Sequence, residues 1–207
     1  MVQAPSPAAT VHPGTIQAIF DHLVLSLKTD PDAPEPGFLL SHWSFRWSAE
    51  GLAGNLAYFQ ATIDGSLRRQ VLTDSPALAD RHASRMAPRG WLAADLESPV
   101  VVARFERSDD WPDAVREHVS GAAFELEVAW SNLAPPVFAQ GPAPRVPEQD
   151  IISVLLEAAD ATAAIDGQPV AGSPFSNDIW IPWLGRSLSS CVVALGEVLL
   201  TRPVMPG

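Results

Sequence analysis

The sequence predicts an all-β fold, an antiparallel β-barrel with short helices and a long loop. Polar and aromatic side chains alternate through residues 41–47, which is typical of a half-buried strand. The dipeptide Asp64-Gly65 is favoured where a two-residue hairpin turn needs positive φ. Twenty prolines and thirteen glycines in 207 residues interrupt the apolar runs, which suits short strands better than long helices.

The first three strands form a meander around this hairpin. Trp43, Phe45 and Trp47 share one face by strand parity. Residues 56–63 are rich in aromatic and β-branched side chains, and residues 66–72 return antiparallel to them. A meander with such large side chains on one face must be covered by another sheet or by its own closure.

The elements before and after the meander follow from local signals. Apolar residues at helical spacing, followed by alternation, predict a short helix leading into a strand at 15–27. Three prolines make residues 30–37 an exposed loop. Residues 74–90 are predicted to form a long loop with one helical turn near 77–85. Strands are predicted at 91–95, 100–107 and 122–130, with a short helix at 109–118.

Strands also dominate the prediction for the second half of the chain. Five prolines predict an extended connection at 133–147. An apolar run at 151–165 precedes a second hairpin dipeptide, Asp166-Gly167, and a last apolar strand covers 188–200. Eight or nine strands result, in a single β-barrel domain at 15–203 preceded by a disordered tail at 1–14.

Charge and composition exclude several partners. The formal net charge is -11, with one lysine and no basic cluster, so nucleic acid is not an expected partner. No run approaches the roughly 18 apolar residues of a membrane span, and the N-terminus lacks the pattern of a signal peptide. We therefore expect a cytoplasmic protein. Its one cysteine, Cys191, lies in an apolar run and is expected to be a buried, inert thiol.

Part of the second half resembles a known family. Phe124-Glu125-Leu126-Glu127-Val128 is followed by Ala134-Pro135-Pro136-Val137, and a glycine-bounded turn at 166–172 precedes Trp180. This pattern is similar to that of lipocalin-like (calycin) carotenoid hydratases, whose relatives include natural-product cyclases. The resemblance implies a lipocalin-like barrel around a hydrophobic small molecule. The chain departs from the pattern in that Asp178 precedes the tryptophan, so no catalytic residue is carried over.

Three polar residues are the candidate catalytic groups. Tyr58 and Gln60 point to the same side of one strand, where a phenol and an amide could hold a ligand carbonyl. Alternatively, Tyr58 fills core and Gln60 bonds a neighbouring backbone group. Asp178 lies between aromatic residues, where apolar walls would keep its carboxyl group protonated for proton transfer; its alternative is a surface turn.

Aromatic side chains are the candidate substrate-binding wall. Seven tryptophans are many for this length, and aromatic walls with a few polar groups are typical of pockets for planar or polyene ligands. The same side chains could equally form a core. The candidates are Trp43, Phe45, Trp47, Trp130, Trp180 and Trp183.

The sequence predicts neither a metal site nor a cofactor. It contains no zinc spacing, phosphate loop, dinucleotide fingerprint or nucleophile elbow, and its five histidines are scattered. His42 and His22 are possible acid–base groups, but a histidine on the outer face of a strand is usually solvated.

Three functions remain open. The first is a cofactor-independent cyclase or isomerase that positions a hydrophobic polyene or polyketide-type substrate inside the barrel. The second is a carrier with the same cavity and no chemistry, and the third is a structural β-sandwich. A homodimer is left open.

Overall fold

The computed structural model describes residues 14–63, 65–86, 99–122, 124–143 and 146–202. β-strands dominate this part of the chain, which confirms the all-β prediction with little helix. The helices are α1 (Pro76–Met86) and α2 (Ile181–Leu184), and a 3₁₀ turn (Asp178–Trp180) precedes α2. The strands are β1 (Thr15–Leu27), β2 (Phe38–Ser48), β3 (Gly54–Ile63), β4 (Ser66–Thr73), β5 (Val100–Asp110), β6 (Ala114–Gly121), β7 (Phe124–Leu133), β8 (Val137–Ala143), β9 (Val146–Ile165), β10 (Gln168–Pro169), β11 (Ser176–Asn177), β12 (Leu188–Ser189) and β13 (Val192–Thr201).

Strand pairing in the main sheet returns to the strand from which it starts. The order is β9-β13-β1-β2-β3-β4-β5-β6-β7, and β7 pairs back onto β9. The long β9 makes this closure possible, because its first half pairs with β13 and its second half pairs with β7. Only the short β4–β5 pairing in this ring is parallel.

One face of the closed sheet points inward. A single cluster of buried apolar side chains draws members from every strand of the ring, including Leu25, Phe59 and Trp130. Strands on opposite sides of the ring can share one cluster only if their common face is the interior. Trp130 is fully buried there, and its indole Nε1 donates to the backbone oxygen of Val24 at 2.7 Å.

A second cluster lies on the outer face of β1, β2 and β3. It contains Phe20, Trp43, Leu56 and Tyr58, and Leu78 of α1 covers it. The period of two along each strand therefore gives this part of the sheet two apolar faces, one filling the ring and one facing a covering layer.

A buried charged group occupies part of the ring interior. His42 Nδ1 donates to Glu117 Oε2 at 2.7 Å, and Arg107 joins Glu117 to Asp21 through bonds of 3.1 and 2.9 Å. Burial alone would raise the pKa of Glu117, but the charges and hydrogen bonds of His42 and Arg107 outweigh it and lower the pKa. His42 is 1% exposed, so the expectation of a solvated His42 was wrong.

Several element predictions were wrong for identifiable reasons. Residues 15–20 form strand rather than helix, because β-bulges shift the side-chain phase and mimic helical spacing. The helix expected at 109–118 is the end of β5, a turn and the start of β6. The extended connection predicted at 133–147 contains strand β8, which pairs with β9. The loop predicted at 74–90 contains α1, which is longer than the single helical turn expected there. The strand predicted at 91–95 lies outside the described residues.

Both predicted hairpins are confirmed. Ile63 pairs with Ser66 across the β3–β4 turn, and Ile165 pairs with Gln168 across the β9–β10 turn. Asp166 and Gly167 both adopt positive φ, as a tight primed turn requires. Neither helix in the described part of the chain has the length and apolarity of a membrane span.

Candidate functional site

A cavity of about 1110 Å³ lies against the outer face of β13, β1, β2 and β3. Alternate residues of each strand point into it, while their neighbours fill the ring interior. On β1 these include Phe20, His22, Val24 and Ser26, and Lys28 follows directly after the strand. The cavity therefore uses the face of the sheet opposite to the closed interior, which is already filled by side chains.

Aromatic rings form one wall. The rings of Phe20 and Phe45 contact each other at a centroid distance of 5.0 Å. Trp43 stacks on the imidazole of His22 at 4.7 Å and approaches His82 of α1 at 5.2 Å. This wall offers large flat surfaces to a planar or conjugated ligand.

A second aromatic group covers the cavity from the C-terminal part of the chain. Trp180 and Trp183 are nearly parallel, with centroids 6.1 Å apart and an interplanar angle of 16°. Trp183 packs directly on Gly141 of β8, where a Cβ atom would collide with the indole ring. Gly141 is therefore the residue that lets this cover lie flat against β8.

Tyr58 and Gln60 of β3 form the first polar group in the cavity. Tyr58 Oη donates to Gln60 Oε1 at 3.3 Å, and Arg69 Nε donates to the same oxygen at 3.0 Å. Gln60 Nε2 donates to the backbone oxygen of Pro36 at 3.3 Å, which fixes the orientation of the amide. The bond between Tyr58 and Gln60 is long, so a ligand oxygen could compete for the phenol proton.

His22, Ser41 and Glu197 form the second polar group. His22 Nε2 lies 2.9 Å from Ser41 Oγ, and His22 Nδ1 lies 3.6 Å from Glu197 Oε2. Glu197 is 3% exposed, although it lines the cavity. Behind it, Asp21 accepts a hydrogen bond from the backbone N–H of Gly196 at 2.9 Å and so holds the bulge that carries Glu197.

His82 of α1 is the one group here with a large pKa change. Burial, with a smaller contribution from the nearby charge of His22, lowers the pKa of His82 to about 4. At neutral pH His82 is therefore an uncharged part of the wall, packed beside Trp43.

Six of the predicted site residues line the cavity and three do not. Tyr58, Gln60, Trp43, Phe45, Trp180 and Trp183 meet there. Trp47 lies near the end of β2 and is 46% exposed. Trp130 points into the ring interior, because the alternating apolar face of β7 is the inner face. Asp178 is exposed and accepts a hydrogen bond from Ser187 at 2.6 Å, so it does not lie against the expected apolar walls.

Sequence reasoning missed the polar group around His22. His22 has no role in the site predicted from the sequence, and neither Ser41 nor Glu197 is among the predicted candidates. The alternation of β1 was a usable signal, since it puts His22 on the face of Phe20 and Val24. Glu197 carried no such signal, because the bulge at Gly196 changes the phase of β13.

The described residues contain no group of three or more His, Cys, Asp or Glu side chains that could hold a metal ion. Cys191 is buried, and burial raises the pKa of its thiol. It does not line the cavity.

Comparison with known proteins does not identify a family for this chain. No protein-family model matches the chain, and no curated protein matches it. Among solved structures, acetoacetate decarboxylase from Legionella pneumophila subsp. pneumophila str. Philadelphia 1 aligns over 97% of this chain and 90% of its own, with 12% identity and a TM-score of 0.39. A likeness this distant carries no argument about the fold or function of this chain.

Proposed function

We propose that this protein is a cofactor-independent cyclase or isomerase that acts on a hydrophobic polyene or polyketide-type molecule held in the cavity. One observation carries the proposal. In a cavity of about 1110 Å³, the polar pair Tyr58–Gln60 lies in the same space as the aromatic rings of Trp43 and Phe45. Such a combination is typical of small-molecule sites, in which apolar walls bind and a few polar groups orient the ligand.

The catalytic roles follow from the chemistry of these groups. The phenol of Tyr58 would donate to a substrate carbonyl and stabilise the negative charge that develops on its oxygen. Without substrate, the phenol proton is donated to Gln60 Oε1, so the substrate carbonyl would take the place of Gln60 as its acceptor. Arg69 would then remain as the donor to Gln60 Oε1. The aromatic walls would fold the substrate into a reactive shape, and positioning of this kind can supply at most roughly 7–11 kcal/mol.

We extend the proposal to the architecture, as a calycin-like barrel. The return of the strand pairing to β9 supports a closed barrel. The cavity lies on the outer face of the ring, whereas lipocalins hold their ligand inside. The proposal therefore departs from the sequence expectation of a substrate inside the barrel.

A carrier without chemistry is the second candidate. It is favoured by the hydrogen bonds that already satisfy Gln60 within the protein, since a transport cavity needs no reactive group. Binding and turnover separate the two functions.

The test uses retinal, a conjugated polyene with a terminal carbonyl, as the probe. Saturable quenching of tryptophan fluorescence would report binding, and chromatography of the recovered retinal would report changes in its double-bond isomers. A catalyst would change the isomer composition, and Tyr58→Phe and Gln60→Ala would each slow this by about tenfold or more. Binding with no change in composition would favour the carrier, and absence of binding would count against both.

A further inference from the structure

We propose that Ser41, His22 and Glu197 form a nucleophile, a base and an orienting carboxylate, and that this group hydrolyses hydrophobic esters in the cavity. The proposal goes beyond the cyclase or isomerase function and requires only that the cavity admit an ester. It rests on the geometry of three neighbouring strands, β13, β1 and β2.

These strands bring the three side chains together on one face. His22 of β1 pairs with Trp43 of β2, and Ser41 lies two residues from Trp43 on the same side, so His22 and Ser41 are diagonal neighbours. On the other edge of β1, Glu197 of β13 pairs with Phe20, again two residues from His22. All three line the cavity.

The hydrogen bonds set the roles. Glu197 beside Nδ1 favours the imidazole tautomer that carries its proton on Nδ1, which leaves Nε2 to accept the Ser41 hydroxyl proton across 2.9 Å. A hydroxyl adjacent to such a base is an activated nucleophile. The Glu197–His22 separation of 3.6 Å is longer than a hydrogen bond, as catalytic contacts often are before a substrate binds.

Burial distinguishes Glu197 from a surface carboxylate. It is 3% exposed, and among the described residues His22 is the one basic side chain that forms a salt-bridge contact with it. A carboxylate taken out of water in this way is costly unless it is paired with a positive charge. The imidazolium that forms when His22 accepts a proton would supply that charge.

Ser41 differs from the other serines of the cavity wall. Ser48 Oγ donates to the backbone oxygen of Leu52, and Ser190 Oγ donates to that of Ser26, both at 2.7 Å. Their hydroxyl protons are therefore engaged by backbone. Only the hydroxyl of Ser41, among the described serines that line the cavity, is bonded to a histidine.

Tyr58 completes the group. It pairs directly with Ser41 in the β2–β3 register and lines the same cavity. Its phenol is thus a side-chain donor on the neighbouring strand, where it could stabilise the oxyanion of the tetrahedral intermediate.

The proposed reaction balances without any further reactant than water. Ser41 Oγ bonds to the ester carbonyl carbon while its proton passes to His22 Nε2. The carbon–oxygen bond to the alcohol breaks, and the departing oxygen takes that proton. Water then attacks the acyl-serine and gives a proton to His22, which returns it to Ser41 as the carboxylic acid leaves.

A fluorophosphonate probe tests the nucleophile. It forms a stable bond with an activated serine by loss of fluoride, and peptide mass spectrometry identifies the labelled residue. We expect the label on Ser41 and none in His22→Gln. The control is Ser44→Ala on the same strand but on the inner face, which should be labelled like the wild type.

Hydrolysis of p-nitrophenyl hexanoate tests the activity. Ser41→Ala and His22→Gln should each lower the rate by about 100-fold or more, and Glu197→Gln by about tenfold, with thermal unfolding unchanged in the variants. An unlabelled wild type, a label on another residue, or hydrolysis by Ser41→Ala at the wild-type rate would overturn the proposal. If Ser41→Ala does not fold, labelling of the wild type decides. Neither readout depends on the isomerisation of retinal.

Discussion

His42 and Glu117 form a hydrogen-bonded pair in the closed interior, with both side chains 2% exposed. Nε2 of the same imidazole faces Asn55 Oδ1 at 3.1 Å, and the Asn55 amide nitrogen donates to Asp74 at 2.6 Å. The imidazole of His42 therefore connects Glu117 of β6 with Asn55 of β3 inside the ring.

Glu117→Gln tests the importance of this pair. Removing the negative charge leaves the guanidinium of Arg107 and the imidazole of His42 without their anionic partner, so we expect a loss of about 3–5 kcal/mol in the free energy of unfolding. Urea denaturation measures the loss. Glu127→Gln, at an exposed position on β7, is the matched control and should change stability by less than about 0.5 kcal/mol. Equal stability of the two variants would mean that the pair does not hold the ring.

His82 predicts a specific dependence of stability on pH. The unfolded chain binds a proton at this residue below the ordinary pKa of 6.5, whereas the folded protein binds it only near pH 4. The folded state is therefore destabilised as the pH falls between these values, by up to about 3 kcal/mol. Urea denaturation at several pH values should show this loss.

The control for that experiment is a second histidine. His82→Gln should flatten the stability profile between pH 6.5 and 4, while His118→Gln on β6 should keep the wild-type slope. A wild-type slope in both variants would show that another group takes up the proton.

Gly141→Ala tests the cover of the cavity. The added Cβ would collide with the indole of Trp183, so we expect the Trp180–Trp183 stack to shift and stability to fall by about 1–3 kcal/mol. Near-ultraviolet circular dichroism reports the stack. Gly37→Ala is the control, because nothing lies within 4 Å of its added Cβ. An unchanged spectrum for Gly141→Ala would mean that Trp183 does not pack on β8 as described.

Strand parity predicted the cavity residues where the strands are regular. Tyr58 and Gln60 share a face, and so do Trp43 and Phe45, because β2 and β3 pair without a bulge through these positions. Parity cannot say whether a shared face turns toward a core or a cavity. Trp130 belongs to an equally clean alternation, yet its face fills the ring.

The residues that could not be predicted lie at bulges and long-range contacts. A one-residue change of phase moves a side chain to the other face of the sheet, and Gly196 makes that change just before Glu197. The local sequence predicts a solvated His42, because nothing near it indicates that Glu117, 75 residues away, turns inward to meet it. The closure through β9 likewise depends on contacts that no local pattern encodes.

The most direct test of the proposed role of Tyr58 compares the binding of retinal with that of the matched hydrocarbon in which a methyl group replaces the aldehyde. If Tyr58 donates to the carbonyl in an otherwise apolar cavity, the wild type should bind retinal about tenfold more tightly, which corresponds to about 1.4 kcal/mol. That preference should vanish in Tyr58→Phe, while Trp47→Phe, outside the cavity, should keep it. Equal affinity of the wild type for both compounds would contradict the proposal that Tyr58 donates to the carbonyl of a ligand in the cavity.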